Sequence, residues 1–162
     1  MRYLLPLFLL FLFACGSGTG RQEIDLSERT VAKPVDGVGH YVYALALPEA
    51  IAPGETLEIQ MDWRTVGPAD MRKRYELEMR LSGPAASKVY KVSKSLNTVG
   101  EANLVNWINY YFPLAGDFPA GRYAVEVRLL DETRADGTVP LGFVAEMAVG
   151  DGFYKVAEIN VE

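Results

Sequence analysis

Polar and apolar residues alternate with a period of two along most of this chain, and that alternation predicts strands. Leu57, Ile59, Met61 and Trp63 alternate with Glu58, Gln60, Asp62 and Arg64. A strand half buried in an antiparallel sheet requires this pattern, whereas a helix would scatter the same residues around its surface. The period returns at Tyr75, Leu77, Met79 and Leu81 against Glu76, Glu78 and Arg80. It is cleanest at Tyr123, Val125, Val127 and Leu129 against Ala124, Glu126 and Arg128, directly after the turn Phe118-Pro119-Ala120-Gly121. An apolar run from Tyr41 to Leu47, and the alternation Leu141, Phe143, Ala145, Met147, Val149, predict two further strands. Phe153 to Val161 completes a hairpin announced by Gly150-Asp151-Gly152. Lys88 to Lys94 is a weaker, Lys-rich strand, and lysines without a clean apolar face mark a sheet edge guarded against other molecules.

Pro48, Ala52-Pro53-Gly54-Glu55, Val66 to Asp70, Ser82-Gly83-Pro84 and Asp131 to Gly137 separate these segments with turn residues. About eight short strands with turn signals at roughly 8 to 12 residues predict an all-β fold, an antiparallel β-sandwich of about seven or eight strands. The aromatic-dense stretch Leu104 to Leu114, LVNWINYYFPL, complicates this pattern. Trp107, Tyr110, Tyr111 and Phe112 cannot all face one core on a simple strand, because odd and even positions point to opposite sides. Some are therefore expected at the surface, unless a bulge or covering loop buries both sets. Trp107, Tyr110 and Tyr111 are the candidate contact residues, either as anchors in a protein interface or as stacking platforms for a sugar ring.

The front of the chain carries an address. Arg2 precedes an apolar run from Tyr3 to Phe13, interrupted by Pro6. That run is shorter than the roughly 20 residues a membrane-spanning helix needs and reads as a secretory signal peptide. Leu12-Phe13-Ala14-Cys15 resembles the lipobox of bacterial lipoproteins, although Phe13 is bulkier than that family usually carries. The resemblance implies cleavage before Cys15, whose thiol then carries diacylglycerol, in a triacylated cysteine with chains such as palmitate. Such an anchor holds a protein to the bilayer almost permanently. Gly16, where an Asp would mark inner-membrane retention in enteric-type bacteria, resembles the default routed to the outer membrane. Gly16-Ser17-Gly18-Thr19-Gly20 is flexible coil by composition, and residues 21–39 read as linker with room for one short edge strand. The expected organisation is thus a signal peptide over 1–14, a lipid-anchored tether over 15–39 and a sandwich over 40–162.

Charge and composition narrow the chemistry. Of 16 Lys and Arg residues one is Arg2, so the mature chain has 15 against 21 Asp and Glu, a formal charge of −6. Nucleic acid is an unsuitable partner on that balance. Cys15 is the single cysteine, so no intramolecular disulfide forms. The single histidine, His40, leaves zinc and Ser-His-Asp chemistry without their parts, and reads as structural or exposed. Glu58, Asp62, Glu76, Glu78 and Glu126 fall on polar strand faces and read as a solvated sheet surface, not as carboxylates converging in a glycosidase cleft. Asp131 to Gly137 concentrates acidic side chains but lacks EF-hand spacing and contains Arg134, so it reads as a charged hairpin loop. No cofactor and no metal site is expected.

The run from Phe118 to Val127 resembles the corner and following strand of immunoglobulin-like and fibronectin type III-like domains. There a Pro/Gly turn precedes a tyrosine whose hydroxyl bonds back to the corner backbone. Trp63, Leu81-Ser82-Gly83, Trp107 and Pro113 extend the likeness to Ig-like modules of bacterial envelope proteins, over about 95 residues, without the cysteine pair of antibody domains. Such a fold does not name a function. Together these features predict a non-enzymatic envelope lipoprotein, an accessory or adaptor that binds another envelope protein. The alternative is a carbohydrate-binding module that uses Trp107 with Tyr111 or Tyr110.

Overall fold

The computed structural model describes residues 20–31, 39–66, 75–92, 105–131 and 137–162. Residues 1–19, which hold the expected signal peptide, Cys15 and the start of the expected tether, lie outside the described residues. Among the described residues eleven strands follow in order: β1 (Arg21–Asp25), β2 (Gly39–Pro48), β3 (Ala50–Ile51), β4 (Thr56–Val66), β5 (Tyr75–Ser82), β6 (Ser87–Val92), β7 (Val105–Pro113), β8 (Gly121–Asp131), β9 (Thr138–Val139), β10 (Ala148–Gly150) and β11 (Phe153–Val161). The first sheet runs β1-β2-β4-β7 and the second β10-β11-β8-β5-β6, with β3 beside β11 and β9 beside β8. All pairings are antiparallel except β3 with β11. The fold is all-β, with two sheets closing on one core.

The alternation read from the sequence is the core. Leu57, Ile59, Met61 and Trp63 of the first sheet are completely buried, as are Leu77, Met79, Leu81, Tyr123, Val125, Val127 and Leu129 of the second, and all belong to one apolar cluster. Fully burying each large apolar side chain contributes about 1.5–3 kcal/mol. In β2 a bulge at Tyr43 shifts the register between Val42 and Ala44. Val42 and Leu45, three residues apart, therefore both reach the core. The Lys-rich strand is β6, at an edge of the second sheet as its composition predicts. Residues 21–25, assigned by composition to the linker, form the edge strand β1 on β2.

One predicted strand does not form. From Leu141 to Val149 the chain makes isolated bridges from Leu141 to His40 and from Phe143 to Thr30, then a 3₁₀ turn at Ala145–Met147, and only then β10. At Gly142 this segment makes a close approach: a Cβ there would stand 2.0 Å from the Tyr41 ring. Bare backbone at Gly142 lies against that ring, with the Gly142 amide bonded to the His40 carbonyl at 2.9 Å. The segment caps the edge of β2 and buries Tyr41. The hairpin signal after it holds: Gly150 pairs with Phe153 across Asp151 and Gly152, both at positive φ, as a type I′ turn requires.

The polar face of the second sheet also differs from its sequence reading. Glu78 and Glu126 point away from the core, yet they are only 2% and 5% exposed. Glu78 stands opposite Arg128 and Glu126 opposite Arg80 across β5 and β8, and each pair forms a salt bridge. Both guanidiniums lie over the Phe153 ring, at 4.2 and 4.5 Å. Pairing and cover replace the water that composition alone leads one to expect.

Candidate functional site

The outer face of the first sheet is built by β4 and β7. Leu57, Ile59 and Met61 of β4 pair in register with Phe112, Tyr110 and Ile108 of β7, all turned inward. The intervening positions turn outward, placing Glu58 beside Tyr111, Gln60 beside Asn109 and Asp62 beside Trp107. Trp107 is 54% and Tyr111 58% exposed. Among the described residues β7 pairs only with β4 and ends the sheet.

This geometry separates the three candidate aromatics. Trp107 and Tyr111 share one surface, whereas Tyr110 is 1% exposed and stacks with Phe112, ring centroids 6.3 Å apart. Burial pushes the Tyr110 phenol far above its ordinary pKa, with a smaller opposing effect from neighbouring Trp63. Tyr110 is a core residue and is removed from the contact surface. Sequence parity called for such a division unless a bulge or covering loop buried both sets, and which set faced outward depended on the pairing with β4.

Beside Trp107 the same face carries an open groove of about 800 Å³. Glu23 and Asp25 of β1, Tyr43 of β2, Asp62 and Arg64 of β4 and Trp107 contribute to its lining. Arg64 lies over the Tyr43 ring, 4.1 Å from its centroid, and donates from Nη2 to Asp62 Oδ2 at 3.0 Å. Asp62 is 3% exposed, so it is not the solvated carboxylate expected from the sequence. Its Oδ1 has no hydrogen-bond partner among the described residues, and neither has Arg64 Nε. The amide of Ser27 donates to Asp25 Oδ1 at 2.8 Å, which holds the Asp25 carboxyl below its ordinary pKa. The groove was missed because it is assembled from four strands whose neighbours are fixed by the fold. The only local signal is Asp62 and Arg64, two residues apart on one face.

The other candidates fall elsewhere. His40 is buried, with Nδ1 3.1 Å from Thr65 Oγ1 and its ring edge-on to Tyr75, a structural position. Residues 132–136 of the acidic loop lie outside the described residues. Among the described residues no cluster of three or more His, Cys, Asp or Glu side chains is placed to hold a metal ion, and no helix is long and apolar enough to cross a membrane. Neither a family model nor a curated protein matches the chain.

Proposed function

We propose that this protein is a non-enzymatic lipoprotein of the bacterial envelope, anchored through Cys15 at the outer membrane. Its Ig-like sandwich acts as an adaptor that docks on another envelope protein through the outer face of the first sheet. The observation that carries this reading is the outward pair Trp107 and Tyr111. Their strand neighbours Tyr110 and Phe112 already complete the core, so the fold has no use for two further large rings in water. Exposed Trp and Tyr set among polar residues such as Gln60, Asn109 and Glu58 are the composition of an interface with aromatic anchors and a polar rim.

The experiment is crosslinking of the anchored protein in its own envelope, followed by affinity recovery. Wild type is expected to recover a recurrent partner that the Trp107→Ala/Tyr111→Ala variant loses. Equal recovery by both removes this face as the docking surface. A glycan is the second reading, favoured by the exposure of both rings on one face, and retention on envelope polysaccharide that disappears with Trp107→Ala supports it instead.

A further inference from the structure

β1 begins at Arg21, so five residue steps separate Cys15 from Gly20, the last residue before the sandwich. At full extension five steps span at most about 18 Å, whereas a tether running to residue 39 would reach about 85 Å. Gly20 adds no slack, because its carbonyl accepts from the Glu49 amide at 2.7 Å. That bond continues the β1–β2 ladder one step past the Arg21–Pro48 pair, so the chain leaves the sandwich along the strand direction. Gln22 Nε2 of β1 also donates to the Glu158 carbonyl of the second sheet at 2.8 Å. The point of entry is therefore clamped to both sheets, and it lies at one pole of the sandwich. There the Asn160 amide donates to the Glu49 carbonyl at 3.2 Å, the Glu162 amide to the Ile51 carbonyl at 3.0 Å, and the Gly54 amide to the Ala115 carbonyl at 3.1 Å. These bonds gather the turn before β4, the turn before β8 and the end of β11 beside Gly20. From this pole the eleven residues of β4 rise from Thr56 to Val66, about 33 Å away at the other end, nearly twice the reach of the tether.

We infer that the lipid on Cys15 seats the sandwich on the bilayer by this Gly20 pole, with the strands of both sheets rising away from the membrane. The inference rests on Cys15 being the anchor, and it adds which surface of the domain meets the lipid headgroups. Attraction to anionic lipid does not supply the seat. The pole exposes Glu49, Glu55, Asp117 and Glu162 against Arg21 and Arg122, a surplus of acids that anionic headgroups repel. The short tether, fixed at its upper end, holds the pole down. In this pose the outer face of the first sheet stands upright, with Tyr111 opposite Glu58 near the foot of β4 and Trp107 opposite Asp62, about 13 Å higher. A partner then meets Tyr111 within about 30 Å of the bilayer, a height that suits a protein seated in the same membrane.

The test uses the whole mature protein, lipidated and reconstituted into phosphatidylcholine vesicles. Cys15 is the single cysteine, so once it is acylated an introduced cysteine is the one thiol left to carry a dye. Thr56→Cys and Val66→Cys mark the near and far ends of β4 in the first sheet. Ser87→Cys marks the near end of the second sheet, opposite Ser82, and Val149→Cys its far part, beside the β10–β11 hairpin. All four positions are exposed. Energy transfer to an acceptor dye on the lipid headgroups is expected to be severalfold stronger from the Thr56 and Ser87 labels than from the Val66 and Val149 labels. Lengthening the tether by about twenty glycine and serine residues, to a coil spanning roughly 25–30 Å on average, should abolish most of that difference. Equal transfer from all four labels with the native tether overturns the proposal. So does strong transfer from both ends of one sheet with weak transfer from both ends of the other, which means a domain lying on its face. Protein that does not float with the vesicles refutes the anchor and the seat together, whereas protein that floats without the gradient refutes the seat and leaves the anchor standing.

Discussion

The Tyr123 hydroxyl donates a hydrogen bond to the Pro119 carbonyl at 2.9 Å, tying the start of β8 to the turn that precedes it. The Tyr123 ring is fully buried and packs 5.1 Å from Phe118, so the corner is held by one polar bond and one ring contact. Tyr123→Phe removes only the bond. It should lower unfolding stability by about 1 kcal/mol, the usual net worth of a buried hydrogen bond, read as a shift in the urea midpoint at constant slope. An unchanged midpoint would show that the corner holds by packing alone.

Gly83 lies against the same ring. A Cβ there would stand 2.6 Å from Tyr123 Cδ1 and 2.9 Å from the Arg122 carbonyl. Backbone on one side prevents easy relief, so Gly83→Ala is expected to cost about 1–3 kcal/mol, as overpacked cores do. Chemical denaturation of Gly83→Ala, Tyr123→Leu and the double variant checks the assignment. A double variant less destabilised than the sum of the singles shows that the two positions are coupled.

These contacts mark what was legible in the sequence. Period-two alternation placed β4, β5 and β8 at the positions where they form, because one buried face leaves a local mark at every second residue, and apolar runs and turn signals marked the others. It failed at Leu141 to Val149 for the same reason: Leu141, Phe143 and Met147 are buried, but against the edge of β2 and around a 3₁₀ turn. Tyr123 and Pro119 stand in one local motif, and their contact was legible; Gly83 against Tyr123, and Gly142 against Tyr41, lie about forty and a hundred positions apart and were not. The candidate site was half legible. Parity divided Trp107 and Tyr111 from their neighbours, but the groove depends on β1, β2, β4 and β7 being adjacent, which no local pattern encodes.

Alkaline pH should destabilise the fold in a predictable direction. Burial raises the phenol pKa of Tyr110 strongly, and desolvation raises those of Tyr41 and Tyr90 as well, above the ordinary value of 10.0. With the folded pKa above the unfolded one, this stability is fully present below about pH 10 and is lost as pH rises beyond it, because the unfolded chain releases its protons first. Thermal melts from pH 8 to 11.5 should fall steeply above about pH 10. Replacing Tyr110 by Phe should flatten that fall, and an equally steep fall in the variant would locate the effect elsewhere.

Anchorage is tested independently of the sandwich, since Cys15 lies outside the described residues. Cys15→Ser should leave the precursor uncut or release the protein from the membrane fraction, as immunoblots of fractionated cells would show. Normal processing with full membrane retention would remove the lipobox reading. It would leave the recognition face untouched.

The two faces of β7 make the sharpest contrast between structure and function. Tyr110 and Phe112 point into the core and Trp107 and Tyr111 into solvent, within six consecutive residues of one strand. Tyr110→Ala or Phe112→Ala opens a cavity where large rings stack, and aromatic-to-alanine changes in cores cost about 3–5 kcal/mol. Trp107→Ala and Tyr111→Ala remove side chains that are more than half exposed, so each should stay within about 0.5 kcal/mol of wild type. The same two variants should lose partner recovery, while a Tyr110→Phe protein, still folded, should keep it. If Trp107→Ala unfolds the domain as readily as Phe112→Ala, the indole is a structural cover for Asp62 and not a contact residue.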